Sequence, residues 1–129
     1  METKKVILDT NFLMLSYKYR VDIFNQIKFL VECKTEFVIS NGIMNELFSL
    51  SKNRGKTGMG ARFALKLIEK NKNSIILISS SDKVDEWIFE YAKENNAFVC
   101  TDDARLKTKL KREKIKTIVI KSKSVVDFE

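Results

Sequence analysis

The chain has 129 residues, 44% of them apolar, with nine phenylalanines and a net charge of +7, which is enough apolar material for one packed domain with a single core. No apolar run approaches the ~20 residues that span a bilayer, and the start of the chain lacks the apolar centre of a signal peptide, so a cytoplasmic protein with no membrane association is expected. The sequence contains no histidine, which excludes Ser-His-Asp and Cys-His mechanisms and a zinc site built on Cys33 and Cys100, and leaves acid–base chemistry to carboxylates, lysines, tyrosines or metal-bound water.

The first element is Lys4-Lys5-Val6-Ile7-Leu8, an apolar run that stops at Asp9-Thr10-Asn11. It reads as a short buried strand with a carboxylate at its C-terminal end. In open parallel α/β sheets the ligand crevice lies beyond the carboxyl ends of the strands, so an acid at that place is a candidate functional group. Residues 12–19 read as a short helix or turn. Residues 21–33 read as a helix, with Ile23, Phe24, Ile27, Leu30 and Val31 inward and a Lys28–Glu32 pair on another face.

Residues 36–40 form a second strand, and Ser40 or Asn41 caps a helix over about residues 42–51. Glu46 falls on that helix's apolar stripe of Ile43, Leu47 and Leu50. A carboxylate on a core-facing line is costly unless it is paired or bound to a cation; a place at the edge of the stripe, in reach of water, accounts for it equally well. Residues 51–60 hold three of the four glycines with Lys52, Arg54 and Lys56, and read as a mobile basic loop. Gly55-Lys56-Thr57 is not a phosphate-binding loop, because Leu50 stands where that motif needs glycine and no strand precedes it.

A helix over about residues 61–70 follows, with Phe63, Ala64, Leu67 and Ile68 inward. Residues 74–79 are the third strand. Residues 84–95 are a helix in which Asp85 heads the stripe of Ile88, Phe89 and Ala92, a position that capping and the helix dipole also explain. Residues 97–100 form the fourth strand, ending in Thr101-Asp102-Asp103. Leu106 and Leu110 mark the inward line of the next helix; Asp103 lies on that line and Asp102 is offset from it. Residues 116–120 are the fifth strand, and residues 121–129 read as a loosely held tail. The alternation predicts a three-layer α/β/α fold with a mostly parallel five-stranded sheet, as a single domain with its core at about residues 5–120.

Between residues 105 and 123, nine basic side chains face only Glu113. Such a block favours a polyanionic partner such as nucleic acid, although a solvated lysine-rich surface gives the same run. Taken together, Asp9, Glu46, Asp85 and Asp103 all belong to one edge of a parallel sheet, and right-handed crossovers bring them near one another. Clustered carboxylates repel unless a divalent cation neutralises them. Oxygen ligands without sulfur or imidazole select hard ions, Mg²⁺ or Mn²⁺.

Val6-Ile7-Leu8-Asp9-Thr10-Asn11, Ile43-Met44-Asn45-Glu46-Leu47, Val84-Asp85-Glu86-Trp87-Ile88 with Ala92, and Cys100-Thr101-Asp102-Asp103-Ala104-Arg105-Leu106 together resemble the PIN domain. That family comprises small metal-dependent ribonucleases, among them VapC-type toxins and enzymes that process ribosomal RNA precursors. The resemblance implies hydrolysis of RNA phosphodiesters with Asp9, Glu46, Asp85 and Asp103 as the catalytic acids and ligands of Mg²⁺ or Mn²⁺. It further implies that Asp102 is an auxiliary ligand or an exposed neighbour, and that Asn11 and Thr101 orient a ligand carboxylate or a water. Lys52, Arg54, Lys56, Arg105, Lys107 and Lys109 are then expected to hold the RNA backbone. A toxin would carry an antitoxin partner and form a homodimer, whereas a processing enzyme would act on a ribosomal precursor particle. A non-catalytic RNA-binding scaffold is the rival reading, and activity on DNA stays open.

Overall fold

The computed structural model describes residues 2–80 and 83–129. Two lysines lead into β1 (Thr3–Leu8), whose last three residues are buried. It pairs in parallel with β2 (Lys34–Ser40), which is buried in the same way from Phe37 onward. Strands covered on both faces lose the alternation of polar and apolar residues, which is why both read as continuous apolar runs. The sheet is completed by β3 (Ile75–Ile78), β4 (Phe98–Cys100), β5 (Thr117–Lys121) and β6 (Val125–Phe128), in the order β3-β2-β1-β4-β5-β6. The first five strands are mutually parallel, and β6 is antiparallel to β5.

The chain steps outward from β1 through α1 (Thr10–Tyr19) and α2 (Ile23–Val31) to β2, then through α3 (Asn41–Ser51) and α4 (Gly55–Lys70) to β3. Helices α1, α3 and α4 pack on one another. From β3 the chain returns over the sheet through α5 (Val84–Asn95) to β4, and with right-handed crossovers that reversal puts α5 on the opposite face. There it packs against β1, β4 and α6 (Ala104–Arg112). Phe24 of α2 meets Phe37 of β2 edge-on, ring centres 4.8 Å apart, in the core of the first layer. Among the described residues no helix is long and apolar enough to cross a membrane.

Two expectations are corrected and one open alternative is decided. The sheet has six strands rather than five, because the supposed loose tail forms β6: Gln26 of α2 accepts from the Val126 N–H (2.8 Å) and donates to the Ser124 carbonyl (3.2 Å), and Val126 is buried. The supposed mobile loop at residues 51–60 is mostly helix, since α4 begins at Gly55 and runs for 16 residues. Two of its glycines have local reasons: a Cβ on Gly58 would collide with the Asn53 carbonyl in the turn from α3, and Gly55 has the left-handed φ of 79°. The segment after β1, expected as a short helix or a turn, is the helix: it runs for ten residues and is capped by Asp9.

Candidate active site

β1 has β2 on one side and β4 on the other. The chain leaves β1 in one direction and returns to β4 from the other, so the crevice beyond the carboxyl ends of β1 and β4 is the topological switch point of the sheet. Asp9 follows β1 directly and Thr101 follows β4, and the Asp9 N–H donates to the Cys100 carbonyl at 3.0 Å. The Asp9 carboxylate is held at both oxygens. Oδ1 accepts from the Thr10 N–H (2.8 Å) and Oδ2 from the Thr101 hydroxyl (2.8 Å). Thr101 Oγ1 in turn accepts from the Asp103 N–H (3.1 Å), while Asp103 Oδ1 caps α6 by accepting from the Leu106 N–H (2.9 Å).

Glu46 and Asp85 approach from the other side. The Thr10 hydroxyl donates to Glu46 Oε1 at 2.8 Å, tying the second turn of α3 to the start of α1. Both acids are exposed, so of the two readings open for Glu46 the place at the edge of the stripe, in reach of water, is the one found, and Asp85 lies in the exposed first turn of α5. The ends of α3 and α5 are drawn together by a clasp. Asn41 Oδ1 accepts from the Ser80 N–H (2.7 Å) and hydroxyl (2.9 Å), and the Gly42 N–H donates to Ser80 Oγ (3.1 Å). A Cβ on Gly42 would stand 2.8 Å from Ser80 Oγ and 2.9 Å from Val84 Cγ2, so only glycine allows this approach. Between the helices lies an open cleft of about 770 Å³ with Asn45, Glu46, Asp85 and Glu86 among its lining.

Asp9 is only 6% exposed, and its pKa is raised from 3.8 to about 6. Burial is the main cause; the bonds from Thr101 and Thr10 oppose it, and the charges of Asp85 and Glu46 add to it. The adjoining Cys100 thiol is pushed well up by burial and by the Asp9 charge. No ion pair among the described residues includes Asp9.

Residues 6–123 match the family described as PIN like domain. The chain belongs to the PIN-like domain family. It is similar to Ribonuclease VapC4 of Methanocaldococcus jannaschii, 36% identical over 128 residues, which cover 96% of this chain and 95% of that protein. It is also similar to Ribonuclease VapC9 of Archaeoglobus fulgidus, 31% identical over 110 residues, 84% of this chain and 77% of that protein. The solved PIN domain endonuclease Utp24 superposes with a TM-score of 0.79 at 23% identity, covering 97% of this chain and 90% of that one, which establishes the shared fold.

The donor chemistry of this PIN-like site fits a hard divalent cation: a carboxylate without a basic partner among the described residues, its pKa raised chiefly by burial and further by neighbouring acids, with only oxygen donors around it. Among the described residues no three His, Cys, Asp or Glu side chains already stand together around one point.

The other sequence candidates are dispersed. Asn11 and Asp102 are not among the lining of the acidic cleft; both line a second cleft of about 690 Å³ between α1 and α4, together with Lys56. Lys52 and Arg54 are exposed on the turn between α3 and α4. Arg105 is exposed on α6, Lys107 pairs with Glu129 at 3.3 Å, and Lys109 lies over the Phe89 ring at 5.0 Å. Thr10, Gly42 and Ser80 were not singled out by sequence reasoning, and Asn41 was read only as a candidate cap of α3, a place that Ser40 takes. The one signal for them was the polar character of residues directly following strands.

Proposed function

We propose that this PIN-like domain is a VapC-type endoribonuclease that hydrolyses RNA phosphodiester bonds with Mg²⁺ or Mn²⁺ at Asp9, Glu46, Asp85 and Asp103. The observation that carries the reading is Asp9 itself, a carboxylate fixed at the sheet's switch point by two hydrogen bonds and pushed toward neutrality by its surroundings. Such a group is strained as an isolated anion and is satisfied by a cation. The similarity to two proteins named as ribonucleases supports RNA as the substrate.

Asp9, Glu46, Asp85 and Asp103 would hold the divalent ion, which would supply Lewis acidity toward a phosphate oxygen and would acidify a water. The protein's own residues do the positioning. Thr101 and Thr10 fix the Asp9 carboxylate with its remaining lone pairs toward the crevice, and the Thr10 hydroxyl holds Glu46 within reach of the same space. Lys52, Arg54, Lys56, Arg105 and Lys109 offer cations to the phosphate backbone, a contribution that weakens with salt; Lys107 does so only by giving up Glu129. An antitoxin partner and a homodimeric state belong to the same reading.

The test is cleavage of a labelled structured RNA by wild type and by Asp9→Asn, with Mg²⁺, Mn²⁺ or EDTA. Cleavage by wild type alone, and only with metal, is expected. RNA binding without cleavage under every condition would make the domain a scaffold, and equal cleavage by both proteins would remove support for this site. Co-expression with candidate antitoxins, followed by light scattering, reads the partner and the oligomeric state.

A further inference from the structure

The acidic cleft has a neighbour of opposite character. Asn11, Met14 and Lys18 follow one another at helical spacing along α1, and Lys56, Met59 and Gly60 do so along the start of α4. These two stripes form the walls of the 690 Å³ cleft, within the range of about 300–1,000 Å³ typical of small-ligand sites. Tyr17 bridges the walls: its hydroxyl meets Met59 Sδ at 3.8 Å and its ring lies 5.5 Å from that of Phe63. Beyond Tyr17 and Arg20 the groove continues into a smaller hollow of about 330 Å³.

Lys18, Arg20 and Lys56 line the cleft against a single acid, Asp102. All three cations are exposed, and none makes an ion pair with a described residue. The cleft also reaches the catalytic crevice, because Asn11 follows Thr10 and Asp102 lies between Thr101 and Asp103.

Resting on the ribonuclease reading, we propose that the α1–α4 cleft is a substrate subsite for single-stranded RNA beside the scissile phosphate. Lys18, Arg20 and Lys56 take phosphates, and Tyr17, Met14 and Met59 receive an unstacked base. Aromatic and apolar walls bind bases of an unpaired strand without a sequence code, while cations track its backbone. A duplex would offer its backbone to these cations but no free base to Tyr17. The cleft therefore selects RNA that is unpaired next to the cut, and this adds a second set of contacts to the cations of α6 and the α3–α4 turn.

The experiment measures binding of a short fluorescent single-stranded RNA in EDTA as a function of salt. It compares wild type, the triple variant Lys18→Gln/Arg20→Asn/Lys56→Gln, and a control variant Lys34→Gln/Lys66→Gln/Lys70→Gln that leaves the net charge equally reduced. Asparagine is chosen at position 20 because Arg20 has φ 53°, a left-handed conformation that asparagine tolerates. Losing three phosphate contacts should weaken binding at least about tenfold and lower the salt slope by about 2, whereas the control should change both far less. Photocrosslinking of 4-thiouridine RNA to wild type should label residues 11–20 or 56–63.

Equal behaviour of the two variants, or crosslinks confined to α6, overturns the subsite. If wild type still cleaves RNA with metal in that case, the nuclease reading survives without it. Binding in the cleft by a protein that never cleaves would leave the subsite standing and the nuclease reading fallen. An acidic peptide that binds wild type more tightly than the RNA does, and is lost in the triple variant, would assign the cleft to a protein partner and also overturn the proposal. Single Lys56→Glu, at an exposed position, repeats the measurement with the least disturbance of the fold.

Discussion

The Thr101 hydroxyl donates to Asp9 Oδ2 across 2.8 Å and so joins the ends of β4 and β1 at the switch point of the sheet. It is the strongest single influence holding the Asp9 pKa down against burial. Thr101→Val keeps the shape of this buried residue and removes the donor. Asp9 then ionises at higher pH, because a hydrogen bond to the charged form is gone. The acid limb of the pH–activity profile should move upward by about one unit, with about tenfold lower activity on that limb. A lower plateau with an unmoved limb would show that Thr101 acts on something other than Asp9.

Asp9 also sets a pH dependence of stability in the absence of divalent ions. In the folded protein its proton stays on up to about pH 6, against 3.8 for an ordinary aspartate. Below pH 4 the buried carboxyl is neutral and costs nothing extra. As the pH rises through 6 the native state has to carry the charge, and up to about 3 kcal/mol of stability is lost. Thermal melts in EDTA should therefore find Asp9→Asn more stable than wild type at pH 7.5 and equal to it near pH 4. Mg²⁺ or Mn²⁺ should raise the melting temperature of wild type and not of the variant. Parallel melting curves across this window would mean that Asp9 is solvated in solution.

The central strands and the acids beyond their ends were legible because a buried parallel strand is an apolar run, and Val6-Ile7-Leu8-Asp9 and Phe98-Val99-Cys100-Thr101 end abruptly in polar residues. Thr101, which bonds Asp9, was expected to orient a carboxylate only through the family resemblance, and the clasp beside Glu46 and Asp85 was not legible at all. Ser80 reaches Asn41 and Gly42 across nearly forty residues of chain, and no local periodicity reports such a contact. The start of α4 was hidden by its glycines, which resemble a loop in composition, although Gly58 is there because α3 and α4 turn too tightly for a Cβ and Gly55 because the chain takes a left-handed φ. Strand β6 is four residues long and pairs with β5, and its other flank is met by Gln26, about a hundred residues earlier. Helical spacing placed Glu46 and Asp85 on apolar stripes, but it could not say which edge of a stripe meets water.

Gly42 offers a test of whether the approach of α3 to α5 matters to the site. In Gly42→Ala the new methyl meets Ser80 Oγ and Val84 Cγ2 inside 3 Å, so the clasp has to open and Asp85 moves away from Glu46. Overpacking of this kind costs about 1–3 kcal/mol. The expected readout is a lower melting temperature together with a rise in the metal concentration that gives half-maximal cleavage. A variant with lower stability but the same metal dependence would separate the clasp from the acids.

Removing residues 124–129 should damage stability while sparing the site. The deletion strips Val126 from the core, breaks the edge contact of Phe128 with Phe98 (ring centres 5.1 Å apart), and leaves Gln26 without its two backbone partners. Burial of Val126 alone is worth about 1.5–3 kcal/mol, and the exposed flank of β5 becomes an open edge that invites association between chains. None of the residues that hold Asp9 lies in the deleted segment. The truncated protein should melt at least several degrees lower and aggregate on warming, yet retain RNA cleavage per folded molecule when assayed well below its melting temperature. Loss of cleavage at that temperature, with native circular dichroism, would instead place β6 among the determinants of the active site.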